Sequence, residues 1–238
     1  MNEKIKAEVE RRGITRLCHF TPSRNLGQIL SGTFGVLATK NLEEDERHIF
    51  APTDLQRLDG HKDHISCSIE YPNAWYFEKA RAKEILFRDW VILFIDRKYL
   101  WKDGTRFCPR NAAAAFGRDV RSGHLAFENL FAPRIAGAHN RNYVRTALTP
   151  DYCVTDEQAE VLIPDMIALE DTLGLAVYSV EQARNEIVRL LYLQTPEVTV
   201  RGLRVVIAPD LYDKYKLSRM LKTGQRPEET PFDSSTVK

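Results

Sequence analysis

The chain of 238 residues has no apolar run longer than a β-strand. Its most hydrophobic stretch, residues 90–95 (WVILFI), is far short of the roughly 20 residues that a membrane-crossing helix needs, so no membrane association is expected. The first dozen residues are charged throughout and lack the apolar centre of a secretory signal, which points to a cytoplasmic protein. Cysteine is scarce and scattered. Cys18, Cys67, Cys108 and Cys153 contain no Cys-x-x-Cys pair, which leaves neither a disulfide framework nor a structural zinc site with support. His61 and His64 flank Asp63 in a charged loop with no further ligand close in sequence, and no metal is implied. There is no internal repeat and no evident linker. With 43% hydrophobic and 28% charged residues the composition is that of an ordinary globular protein.

Net charge is also nearly absent, at +1, yet it is unevenly spread. Between positions 97 and 150 ten lysines and arginines stand against three acids. Tyr99, Trp101, Phe107, Phe116, Phe127, Phe131 and Tyr143 are interleaved with them. Such a stretch attracts phosphate and offers ring faces on which unpaired bases stack. Arg134, Arg141 and Arg145, with Tyr143, are the foremost candidates, because residues 129–150 contain no acid.

Periodicity predicts an α+β chain. Helices are expected over residues 3–12, 25–30, 73–84, 180–193 and 209–221, and strands over 14–20, 64–70, 89–96, 159–163, 173–179 and 203–207. Residues 97–150 read as a long irregular connection, which in a compact domain is functional or disordered. One domain over residues 1–222 is expected, followed by a polar, flexible tail over 223–238.

Three places can carry chemistry. In residues 155–164 (TDEQAEVLIP), Ala159, Val161 and Ile163 form a core face, and Glu160 points to solvent or into a cleft. In residues 17–30 (LCHFTPSRNLGQIL), His19 and Thr21 leave a strand on one face just before a helix N-terminus, a setting that suits either a capping turn or an anionic ligand. Gln56 and Arg57 follow the acidic cluster at 43–46, and arginine is either a solvated charge here or the fork that grips pyrophosphate.

Taken together these segments resemble the DarT family, bacterial toxins that ADP-ribosylate bases in single-stranded DNA. Residues 67–77 (CSIEYPNAWYF) and 89–93 (DWVIL) are also similar to one branch of it, and the likeness runs in order from about residue 15 to about 180. The resemblance implies an ADP-ribosyltransferase fold with a twisted, split central sheet flanked by helices, and NAD as a consumed co-substrate. It implies that His19, Thr21 and Asn25, with Gln56 and Tyr76, hold NAD, that Arg57 lies on the diphosphate or supports the reacting centre, and that Glu160 is catalytic. It also implies a monomer that meets single-stranded DNA with the loop over 134–158, and a cognate antitoxin of the ADP-ribosylglycohydrolase type. The middle of the chain has YPNAW at 71–75 where thymidine-modifying members carry another pattern, which leaves thymidine and guanosine both open. An ADP-ribosyltransferase acting on RNA or protein, or a silent nucleic-acid-binding module, are the competing readings.

Overall fold

The computed structural model describes residues 2–31, 35–42, 57–84, 87–137 and 141–237. Local sequence explains the first elements. Helix α1 (Glu3–Arg12) starts where the Asn2 side chain accepts from the Ile5 amide and stops at Gly13, which takes the left-handed cap conformation at φ 69°. Strand β1 (Arg16–Pro22) follows; then come a short turn, helix α2 (Leu26–Ser31) and β2 (Val36–Leu37). Strand β3 (His64–Ile69) leads into helix α3 (Ala74–Lys83), capped by Asn73, and into β4 (Trp90–Asp96).

The stretch expected to be irregular holds short elements: β5 (Arg106–Cys108), β6 (Arg121–Ser122), helix α4 (His124–Asn129) and the hairpin strands β7 (Arg134–Ala136) and β8 (Asn142–Val144). None is longer than six residues, too short for a periodic signal. Beyond them come β9 (Glu160–Pro164), β10 (Met166–Ile167), β11 (Thr172–Val177), α5 (Val180–Tyr192), α6 (Glu197–Gly202) and β12 (Val205–Ile207). Helix α7 (Lys214–Lys222) and β13 (Thr230–Phe232) close the described chain.

Among the described residues nine strands form one mixed sheet in the order β13-β12-β11-β4-β1-β3-β9-β5-β6. Next to its middle strand, β1, lies β4, whose alternate residues sort to two cores. Val91, Leu93 and Ile95 join Leu17, Leu175 and Val177 against residues of α1, α2 and α5. Trp90, Ile92 and Phe94 join Ala176 and Val206 against α3 and α7. At β1 the sheet divides. All seven residues of β1 pair with β4, but only Leu17 and Cys18 pair with β3, opposite Ile69 and Ser68. From His19 onward β1 parts from β3, and the second half-sheet, β3-β9-β5-β6, continues alone. The split sheet that the resemblance implies is this division.

One expectation needs correction. The residues after 222 do not form a free tail. Strand β13 pairs antiparallel with β12, Arg16 forms an ion pair with Glu229, and Val237 is buried in the core against the sheet. Few apolar residues are spent on this attachment, which is why composition read it as solvated. No helix among the described residues is long and apolar enough to cross a membrane.

Candidate active site

Where β1 and β3 separate, the cleft between them needs groups to satisfy the opened edges. His19 supplies one: its Nδ1 lies 2.9 Å from the Ser66 carbonyl, in the place of the lost ladder bond. Nδ1 therefore carries the proton and donates, leaving Nε2 as the ring's acceptor. Burial holds the imidazole below its ordinary pKa, and the charge of Arg57 pushes the same way against the Ser66 bond, so the ring stays neutral. Two residues on, Thr21 faces the same cleft, and its Oγ1 accepts from Asn25 Nδ2 at 2.8 Å. Tyr76, in the first turn of α3, joins the lining; its amide is held by the Asn73 side chain at 3.0 Å.

Across the cleft stands Glu160, the first residue of β9 and 8% exposed. Ser66 Oγ donates to its Oε2 at 2.6 Å and the Ala112 amide to its Oε1 at 3.2 Å. Burial raises the carboxyl from 4.5 to about 7, with both hydrogen bonds pulling the other way. The expectation that the Glu160 face meets solvent or a cleft is resolved toward the cleft. Its neighbour on that face, Leu162, is buried with Cys108, Ala112 and Val120, so the segment after β5 roofs this side of the strand.

Arg57 also lines the cleft, buried, with φ 39°. Its guanidinium pairs with Asp59 at 3.0 Å and donates to the His61 carbonyl. Gln56 lies outside the described residues. His61, Asp63 and His64 bring one ligand atom each within 4.8 Å of one another. The His64 ring is already engaged, with Nδ1 at 2.8 Å from Asp63 and Nε2 at 3.2 Å from the Gly104 carbonyl. His64 is buried at the head of β3, not in a solvated loop.

The cleft thus gathers His19, Thr21, Asn25, Arg57, Tyr76 and Glu160, from segments far apart in sequence, and adds residues the sequence reading passed over: Ser66, Ser68, Asp59 and Asn73. A signal for two of these was present. In β3, HISCSI, the alternate residues Ile65, Cys67 and Ile69 enter the core, which leaves His64, Ser66 and Ser68 on the face that lines the cleft. Apolar residues such as Ile29, Val36, Leu37 and Ile65 complete the walls. Flat, weakly polar rings fit such walls, while a neutral imidazole, two hydroxyls and a guanidinium can orient an amide, a ribose and a diphosphate.

The candidate nucleic-acid residues lie apart from one another in role. Arg134 and Arg141, on the β7–β8 hairpin, are exposed and form no ion pair among the described residues. Tyr143 is half-buried. Arg145 is different: its guanidinium donates to the Pro150 carbonyl at 2.8 Å and to that of Cys153. It braces the loop instead of facing solvent. Much of the basic excess is used in this way, with Arg97 on the Ile14 carbonyl, Lys98 on Asp171 and Arg110 on Asp119.

Among solved structures the chain resembles Thermus sp. 2.9 DarT in complex with NAD+, at 18% identity and TM-score 0.55, over 84% of this chain and 98% of that one. The same Thermus protein in complex with ADP-ribosylated ssDNA matches at 18% identity and TM-score 0.56, over 84% and 97%. Thermosipho africanus DarTG in complex with ADP-ribose matches at 12% identity and TM-score 0.56, over 83% of this chain and 51% of that one. Likeness at these identities is likeness of fold, and it makes the split sheet that of an ADP-ribosyltransferase. Among proteins of curated function, none matches the sequence significantly. The family model described as "ssDNA thymidine ADP-ribosyltransferase, DarT" matches residues 18–213, so the chain belongs to the DarT family of enzymes that ADP-ribosylate single-stranded DNA.

Proposed function

We propose that the chain transfers ADP-ribose from NAD to thymidine in single-stranded DNA, with Glu160 as its catalytic carboxylate. The observation that carries this reading is one carboxyl buried where the half-sheets part, fixed by Ser66 and Ala112 and raised to about 7. The relatives solved with NAD+ and with ADP-ribosylated ssDNA support the same two substrates here. Thymidine is the base in the family's description, and guanosine is its competitor in any test.

Breaking the nicotinamide–ribose bond develops positive charge on the ribose, and a carboxylate beside it stabilises that charge. The nicotinamide departs neutral, so no general acid is required. A base nitrogen is a poor nucleophile until its proton is removed, and a carboxyl near 7 is well matched to that second task. Unpaired DNA exposes the nitrogen without base flipping. His19 Nε2, Thr21 and Asn25 orient the nicotinamide end, Tyr76 offers its ring, and Arg57 meets the diphosphate with Asp59 tempering its charge. Gln56 is assigned to NAD on the resemblance alone. Arg134, Arg141 and Tyr143 hold the acceptor strand, while Arg145 shapes the loop that presents it. The chain acts as a monomeric cytoplasmic toxin whose cognate antitoxin removes the modification.

The deciding experiment incubates the protein and NAD with single-stranded oligonucleotides of varied composition and reads intact mass. One added ADP-ribose on thymidine-containing strands is expected. Adducts only on guanosine would move the base, and adducts only on RNA or protein would overturn the acceptor.

Two substitutions separate the substrates. His19→Ala removes one hydrogen-bond acceptor and is expected to raise KM for NAD about tenfold with DNA affinity unchanged, since such a bond contributes about 1.5 kcal/mol. Weakened DNA binding with normal NAD use would contradict this placement. Arg134→Gln combined with Arg141→Gln should flatten the dependence of log Kd on log salt by about 1.4, at roughly 0.7 per phosphate on single strands. Anisotropy titrations across salt concentrations read the slope, and an unchanged slope would take the hairpin off the DNA path.

A further inference from the structure

The segment that roofs Glu160 breaks a local rule without structural compensation. Residues 112–115 make one tight turn, closed by the Phe116 amide on the Ala113 carbonyl at 3.2 Å and the Gly117 amide on the Ala112 carbonyl at 3.0 Å. The residue at the left-handed end of such a turn is usually glycine, because a side chain there crowds the backbone. Here it is Phe116, at φ 52° and ψ 43°. Glycine comes one place later, at Gly117, where a Cβ would sit 2.2 Å from the Asp59 carbonyl oxygen. That close approach explains Gly117. Nothing in the packing explains Phe116, which is 70% exposed and makes no aromatic contact among the described residues. A bulky residue held in a costly conformation with its ring in water signals use.

Its surroundings indicate the use. The same turn sends the Ala112 amide to Glu160 at 3.2 Å, and Asn111 and Ala113 line the cleft. Gly117 packs on Asp59, the partner of Arg57, so Phe116 lies in the chain between Ala112, which is bonded to Glu160, and a residue packed on the Arg57 pair. Arg118 and Arg121 follow: each gives one guanidinium nitrogen to a nearby carbonyl, Arg118 Nε to Ala115 at 3.2 Å and Arg121 Nη1 to Arg118 at 2.6 Å, but both are exposed, unlike Arg145, and neither forms an ion pair among the described residues. A ring presented to solvent in a sequence with exposed, unpaired guanidinium groups is the chemistry of single-strand binding, in which a base stacks and a phosphate is attracted.

We propose that Phe116 is a positioning residue: a stacking platform for the nucleobase next to the acceptor in the single strand. This rests on the DNA-transferase reading above. Phe116→Gly relieves the backbone conformation and removes the ring, so it separates the two roles. The expected result is an unchanged or higher melting temperature and a KM for oligonucleotide raised about tenfold, with kcat and KM for NAD close to those of the unsubstituted protein. Phe116→Tyr and Phe116→Trp should restore the low KM. A 2-aminopurine placed beside the acceptor should be quenched on binding to the unsubstituted protein and not to the glycine variant. An adduct formed by the glycine variant with unchanged KM would overturn the stacking role alone. A fall in kcat with KM unchanged would overturn it too, assigning Phe116 to the turn that feeds Glu160. No DNA adduct from the unsubstituted protein would overturn the transferase reading and this inference with it.

Discussion

Glu160→Gln is expected to lower transfer to DNA by at least about a thousandfold while making the folded chain more stable at alkaline pH. The first half follows from the double use proposed for one group. Losing a charge aimed at a developing oxocarbenium costs about 10²–10³ in rate, and losing a general base costs about 10²–10⁴. With one carboxylate assigned to both, the effects merge and do not simply multiply. The second half follows from burial. In the folded chain the carboxyl titrates at about 7 against an ordinary 4.5. Between those values the folded state holds a proton that the unfolded state has released, so stability is full below about pH 4.5, falls as pH rises, and stays low above 7. A shift of this size corresponds to about 3 kcal/mol. Glutamine carries no charge and removes the loss, while its amide can still meet Ser66 and the Ala112 N–H. Melts from pH 4 to pH 8.5 should therefore coincide at the acid end and separate in favour of the glutamine variant at the alkaline end. Parallel curves would mean that Glu160 titrates normally. In the unsubstituted enzyme, transfer should rise through about pH 7 as the carboxyl loses its proton, and a flat profile would remove the base role.

How much of this was legible in the sequence depends on whether a residue advertises itself locally. The strand run WVILFI and the alternation HISCSI announced β4 and β3, because burial on two faces and on one face leave different periods. Glu160 stood out as the one acid in a short apolar strand, but its burial was not visible: the roof over it comes from residues 109–120, distant in sequence and without periodicity. The polar face of β3 was readable as a strand face but not as a cleft wall, since that depends on β1 turning away after Cys18. His19 owes its place in the cleft, with Nδ1 on the Ser66 carbonyl, to the same divergence. Arg145 shows the opposite failure. Counting charge marks it as a phosphate contact, whereas its guanidinium closes on two backbone carbonyls of its own loop. Composition records how many cations a segment has, and hydrogen bonding decides how many remain available.

The polar C-terminus is where sequence and structure part most, and it carries the largest stability effect. Arg16 is buried at the start of β1, with its guanidinium 3.8 Å from the Phe94 ring centre, its Nε donating to the Glu70 carbonyl at 3.0 Å and its Nη1 to Glu229 at 2.8 Å. Ending the chain after Lys222 removes Glu229 and β13 together and leaves a guanidinium buried without its counter-charge. Breaking one side of a buried pair costs about 3–5 kcal/mol, most of it from the stranded charge. Truncation after Lys222 is therefore expected to lower stability by about that amount, where a flexible tail would change it by less than about 0.5 kcal/mol. The cause can be separated from loss of β13 by replacing the charge. Arg16→Met destabilises the full-length chain, because it strands Glu229 instead. In the truncated chain the same substitution removes the unpaired charge and keeps an apolar stem against Phe94, so it should recover part of the loss. Urea unfolding of the four proteins closes this cycle. Simple addition of the two effects would assign the truncation cost to the edge strand and the buried Val237, and opposite signs for Arg16→Met in the two backgrounds would assign it to the ion pair.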